Sequence, residues 1–239
     1  MRKIRGIGML WMSVLCILFL TSCRDNNKAV KHASVEHEEN VYEKIEAKDI
    51  RRVKISGNAR SIIIKQGADT AFKFQNADLN TAHTYDVRSS RNGDTLNISV
   101  MMKNGEEDND ILGSFLIYLP RKEFDVIETA GDFKQIHINP IHSDIFLHAD
   151  KSVVALHLEA AKLDHDIVLD GSEANAFKSV SVYFDTVPAS IKMEVNPIQN
   201  GSIKDPQHIL DNGRLVSGTE KPVIRIHAAK EINLYKENS

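Results

Sequence analysis

The sequence predicts an all-β protein whose short strands stack in one direction, as the coils of a β-solenoid do, with a few hairpins; a β-sandwich is the alternative. Three observations lead there. Apolar and polar residues alternate with a period of two from about Val41 onward, the pattern of half-buried strands. No stretch carries an apolar stripe at i, i+3, i+4 and i+7 over three turns, so helices are not expected. Between Glu106 and Gln199 no Asn-Gly dipeptide occurs, and strand centres recur there roughly every ten residues, a spacing shared by solenoid coils and sandwiches.

The elements follow in chain order. Val53 and Ile55, Ile62 and Ile64, and Phe72 and Phe74 mark three early strands, followed by Tyr85-x-Val87 and Leu96-x-Ile98-x-Val100. The last two read as a hairpin turning at Asn92-Gly93, because Asn-Gly favours the positive φ of tight turns. Asn104-Gly105, Asn200-Gly201 and Asn212-Gly213 offer the same turn chemistry. Strands are then predicted near residues 117, 126, 137, 146, 156, 168, 182 and 193. Thr129–Asp132, His148–Lys151 and Glu159–Lys162 are the corners between some of them. Strands at Val223–Ile226 and Ile232–Leu234 close the chain, whereas Asn196–Ser217, with two prolines and two Asn-Gly turns, fits a regular coil poorly.

The first residues carry a different signal. Arg2, Lys3 and Arg5 precede eighteen uncharged residues, Gly6 to Cys23, the layout of a secretory signal. The strongly apolar part, Met9 to Leu20, is twelve residues, short of the roughly 20 that span a bilayer. Leu20-Thr21-Ser22-Cys23 resembles the lipobox of bacterial lipoproteins. That resemblance implies cleavage before Cys23 and a diacylglyceryl group on its thiol, the side chain best suited to nucleophilic chemistry near neutral pH. Two or three acyl chains give lasting membrane attachment. The expected organisation is a signal peptide over 1–22, a polar tether over 23–40 and a β domain over 41–239.

Composition narrows the function classes. The chain has 30 Lys plus Arg against 33 Asp plus Glu. The signal holds three of the bases and no acid, so the remainder has 27 bases against 33 acids, a net charge of about −6. Phosphate contacts supply most non-specific nucleic-acid affinity, and Arg51-Arg52-x-Lys54 is the only compact basic cluster early in the domain; no nucleic-acid partner is expected. With Cys16 in the signal and Cys23 carrying lipid, no disulfide is expected either.

Ile55-Ser-Gly-Asn-Ala-Arg-Ser-Ile62, Lys65-Gln-Gly67, Gly93-Asp-Thr-Leu-Asn-Ile98 and Phe115-Leu-Ile-Tyr-Leu-Pro120 resemble the bacterial family named "putative auto-transporter adhesin head", the GIN domain, and related adhesin domains with a similar β-solenoid. The resemblance runs from about Val41 to Tyr235. It implies an envelope protein of the adhesin or scaffold kind, often lipid-anchored, and brings no catalytic residues with it.

Two constellations are candidate sites. Asp164, Asp166 and Asp170 lie on a strand and its corners, with Asp144, Asp150 and Asp185 at comparable corners. Acids stacked on a coil face hold calcium in polysaccharide lyases, whereas aspartates that bond neighbouring backbone simply cap turns. His137, His148 and His157 fall on three consecutive strand segments and could share an outer face as a zinc-binding ladder; three separate exposed positions are the plainer reading. No Gly-x-Ser-x-Gly elbow occurs. Five tyrosines, no tryptophan after Trp11, and phenylalanines mostly at core positions give little support to glycan stacking. No catalytic residue, metal or cofactor is therefore assigned. The expectation is a non-catalytic binding, adhesion or scaffold module of the cell envelope. It would be held at the outer membrane, on its periplasmic or surface face, through acylated Cys23. Its partner would be an envelope or extracellular protein or glycan. The alternatives are a polysaccharide-active β-helix enzyme using Asp164–Asp170 and an envelope-stress sensing domain.

Overall fold

A computed structural model describes residues 44–76, 85–103, 113–148, 151–212, 214–217 and 221–237. Every described residue belongs to one compact unit, 40–239. The lipobox-like Leu20–Cys23, the segment 23–40 expected as a tether, Asn104-Gly105, Asp150 and Gly213 lie outside the described residues.

The described domain is all-β, as the alternation predicts. The strands are β1 (Ile45–Glu46), β2 (Arg52–Gly57), β3 (Ser61–Gln66), β4 (Ala71–Asn76), β5 (Tyr85–Asn92), β6 (Thr95–Met102), β7 (Phe115–Leu119) and β8 (Phe124–Gly131). They continue as β9 (Gln135–Ile138), β10 (Ser143–His148), β11 (Val153–Leu158), β12 (Ile167–Asp170), β13 (Ser179–Phe184), β14 (Ile191–Lys204), β15 (Arg214–Ser217) and β16 (Val223–Lys236). A single 3₁₀ turn, Ala160–Lys162, interrupts them among the described residues.

The strands form two ladders that share the long strands β14 and β16. The first runs β5-β6-β2-β8-β10-β12-β16, and the second runs β1-β4-β7-β3-β9-β11-β13-β16. From β2 through β13, consecutive strands of the 50–66 and 124–184 segments alternate between the ladders. Their pairings are parallel: β2 with β8, β8 with β10, β10 with β12, and β3 with β9, β9 with β11, β11 with β13. β16 then pairs with β12 through its first half and with β13 through its second. β14 lies parallel to β16 on the far side, so the last strand is inserted between β12/β13 and β14. Antiparallel partners occur at the ends: β5 beside β6, β4 beside β7 with β1 beside β4, and β15 beside β14.

Register explains the packing. Because side chains alternate along a strand, in-register parallel pairing repeats one inward residue from strand to strand. In the first ladder Val53, Ile127, Ile145, Ile167 and Ile224 form one such row, each at most 1% exposed. In the second, Ile62, Ile136, Val154, Val180 and Ile232 do the same. Full burial of each such side chain contributes about 1.5–3 kcal/mol, so the rows provide the main cohesion between neighbouring strands.

Corners use specific devices. Gly57 has φ of 138°, and a Cβ there would stand 1.9 Å from the carbonyl oxygen of Val100; only glycine fits where β2 ends against β6. Asp144 Oδ1 accepts the backbone N–H of Asp166, and Asp166 Oδ1 accepts that of Val223. Each carboxylate thus ties its corner to the neighbouring one.

The Asn-Gly signals divide. Asn92-Gly93 forms the expected β5–β6 hairpin, with Gly93 at φ of 62°. Asn200-Gly201 does not turn the chain. Asn200 adopts φ of 66° inside β14, and pairing with β16 resumes at Ser202 after a register shift. The positive φ is spent on a bulge because β16 offers a partner on both sides of it.

Candidate binding face and groove

The side chains that face outward from the second ladder meet in an unexpected way. His157, Tyr183 and Tyr235 are register partners on β11, β13 and β16. The His157 and Tyr183 rings stack with centroids 4.7 Å apart and planes 9° from parallel, and those of Tyr183 and Tyr235 at 5.2 Å and 19°. These separations match the strand spacing of about 4.8 Å, so the backbone ladder sets the stack. Toward the other end, Lys65 on β3 pairs with Tyr118 on β7, and the Lys65 ammonium lies 4.6 Å from the Tyr118 ring centre. Asn139, whose backbone N–H donates to the carbonyl of Ile64, stands between the two groups. The outcome is one row across the ladder: Tyr118, Lys65, Asn139, His157, Tyr183 and Tyr235. All six are half-buried.

His157 Nδ1 is 3.0 Å from Glu237 Oε1, which fixes the ring at the row's centre. His137, two residues out of step on β9, lies half-buried beside it. Burial first, and the nearby charge of His157 second, hold the His137 imidazole below its usual pKa.

A groove of about 720 Å³ opens where β3, β9 and β11 turn their corners, and it shares Lys65 and Asn139 with the row. Its other charged walls are Arg121, Lys122, Glu123, Glu159 and Lys162. Lys162 pairs with Glu159. The Lys122 ammonium is held inward, donating to the Ile50 carbonyl at 2.5 Å and lying over the Phe124 ring. Among the described residues, the Arg121 side chain has no ion pair. Four bases against two acids give the groove a formal charge of +2 on a chain whose net charge is −3.

Beneath the groove lies a small cavity of about 10 Å³, lined by His142, Glu159, Lys162 and His165 among others. His165 is 9% exposed, its Nδ1 lies 3.2 Å from Asp164 Oδ1, and among the described residues its Nε2 has no hydrogen-bond partner.

The acids singled out in the sequence are engaged one by one. Asp164 contacts His165, Asp166 caps Val223, and Asp170 Oδ1 lies 3.7 Å from His227 Nδ1. Asp185 accepts the backbone N–H groups of Ala160 and Thr186, and those bonds hold its carboxyl below the usual carboxylate range. Among the described residues no three His, Cys, Asp or Glu side chains assemble as a metal set.

The shared outer face of His137, His148 and His157 needs correcting. His148 belongs to the first ladder, where it pairs in register with Asp170 and lies 3.5 Å from Glu128, while His137 and His157 belong to the second. Consecutive strands alternate ladders, so a spacing of ten residues separates side chains that a spacing of twenty brings together. The tyrosine stack went unseen in the sequence for the same reason. Tyr183 and Tyr235 are 52 residues apart, and only the β13–β16 register makes them neighbours.

No family model matches the sequence, and no curated protein does. A crystal structure of a "putative cell adhesion protein" from Clostridium sporogenes aligns at 13% identity, covering 82% of this chain and 98% of that chain, with a TM-score of 0.55. The two share a fold. A "putative adhesin" from Bacteroides fragilis aligns at 9% identity over 82% of this chain and 96% of that chain, with a TM-score of 0.24, too low to carry an argument.

Proposed function

We propose that this chain is a non-catalytic binding module of the cell envelope, anchored by lipid on Cys23, that holds a saccharide polymer along the outer row of its second ladder. The observation that carries the reading is the register-built row from Tyr118 to Tyr235, which opens into the groove at Lys65 and Asn139. The stacked rings are half-buried, and aromatic groups with a polar tip are well suited to surfaces that are partly apolar and partly wet. Sugars match that surface, with hydroxyls to bond and C–H faces to cover. The fold shared with a solved protein described as a "putative cell adhesion protein" supports the same reading. So do the signal-like start and the lipobox-like Leu20–Cys23.

In this reading the alternating parallel strands are successive coils of a β-solenoid, two strands to a coil. That architecture gives a binding module a straight, rigid row at a fixed spacing. The acids considered for a polysaccharide-active enzyme are instead occupied as corner caps and ion-pair partners.

A bridging assay tests the proposal. Full chain would be reconstituted in lipid vesicles and mixed with beads coated in envelope polysaccharide. Wild type should hold vesicles on beads. Cys23→Ser should bind beads yet leave vesicles free, and Tyr183→Ser/Tyr235→Ser should lose bead binding. Bead binding unchanged in the tyrosine double variant would refute the row as the contact face.

A further inference from the structure

The groove at the end of the row differs from the row itself in charge and depth, and this difference specifies the ligand further. We infer that the groove is an oxyanion subsite: it takes a carboxylate, sulfate or phosphate ester carried by a saccharide unit of the polymer lying along the row. The inference rests on the saccharide-binding reading and names its substrate class.

Four features support it. The walls carry +2 on a net-negative chain, so the local field opposes that of the molecule as a whole. Two of the cations are already committed, Lys162 to Glu159 and Lys122 to backbone carbonyls. Arg121 remains available, and its planar fork of donors matches an oxyanion in bidentate fashion. Lys65, already in the row, offers a second cation at the groove's mouth. Glu123 is the opposing charge and disfavours an anion placed beside it.

The fourth feature is His165, which lines the small cavity below and whose buried Nε2 has no hydrogen-bond partner among the described residues. A buried polar atom without a partner is destabilising. The cavity's 10 Å³ is room for about one oxygen atom. A ligand oxygen in this cavity would stand among the polar side chains of His142, Lys162 and His165. A nucleic-acid backbone also carries oxyanions, but the net-negative chain supplies no extended basic field to follow it.

The test is calorimetric titration of the full chain in detergent with three length-matched oligosaccharides: oligogalacturonate, sulfated dextran and neutral dextran. The two acidic probes should bind at least tenfold more tightly than the neutral one at low salt, and the better of the two identifies carboxylate or sulfate as the preferred group. Arg121→Gln should weaken the acidic probes five- to tenfold and leave neutral dextran unchanged, whereas Lys65→Gln, which also alters the row, should weaken the acidic probes more than the neutral one. Equal affinity for acidic and neutral probes, lost in Tyr183→Ser/Tyr235→Ser but not in Arg121→Gln, would overturn the oxyanion subsite while leaving the row intact. Failure of all three probes to bind would overturn both.

Discussion

The carboxylate of Asp144 accepts a hydrogen bond at 2.9 Å from the backbone N–H of Asp166, 22 residues further along the chain. Asp166 repeats the arrangement toward Val223 at 2.8 Å. A residue that looked like part of an acidic site is therefore a staple between neighbouring corners. Asp166→Ala removes an acceptor from a part-buried N–H and should destabilise the domain by about 1–3 kcal/mol. Thermal unfolding, with and without added calcium, checks this. A calcium-dependent melting temperature in wild type that vanishes in the variant would contradict the capping role.

Gly57→Ala should be among the most damaging small substitutions. Its φ of 138° is strained for any side chain, and Val100 blocks the space a Cβ needs. The loss should be at least about 2 kcal/mol, read from denaturant unfolding. Gly93→Ala, in open space at the hairpin tip, should cost clearly less.

Histidine 137 should make the domain sensitive to mild acid. Burial holds its imidazole below the usual value of about 6.5, so the unfolded chain binds the proton more readily. The resulting stability is fully present above that ordinary value and is lost as pH falls through the depressed folded one. Proton NMR should show His137 titrating below an unperturbed histidine. In His137→Gln the acid loss of stability should be shallower; an unchanged slope would show that other groups control it.

The aromatic stack should couple energetically. A double-mutant cycle on Tyr183 and Tyr235 should give an interaction of about 0.5–1.5 kcal/mol beyond the area each ring buries. Additive single variants would mean that the rings merely lie near each other.

Much of this fold was legible, and the illegible parts have definite causes. The period of two identifies inward residues such as Ile136, Val154 and Val180, because burial on one face is a local property of the strand. It does not say which ladder a strand joins. That depends on the corner between strands, and so sequence spacing groups His148 with His137 and His157 although it pairs with Asp170. The insertion of β16 between β13 and β14 is likewise a long-range choice that no local signal encodes. It is also what completes the row at Tyr235. Asn200-Gly201 shows the limit of turn chemistry: the dipeptide supplies a positive φ, and the neighbouring strand decides whether that becomes a hairpin or a bulge.

Lipid attachment at Cys23 is separately testable. Cells fed labelled palmitate should incorporate it into wild type and not into Cys23→Ser, which should move from the membrane fraction to the soluble one. Equal label in both proteins would place the acylation elsewhere or nowhere.

Hydroxyl-radical footprinting of the full chain, alone and saturated with the acidic oligosaccharide that binds best, examines the contact face itself. Oxidation of His157, Tyr183 and Tyr235 should fall on binding, while His148 and His227 on the first ladder stay as reactive as before. Protection of the first-ladder histidines, with the tyrosines unchanged, would place the binding face on the wrong ladder.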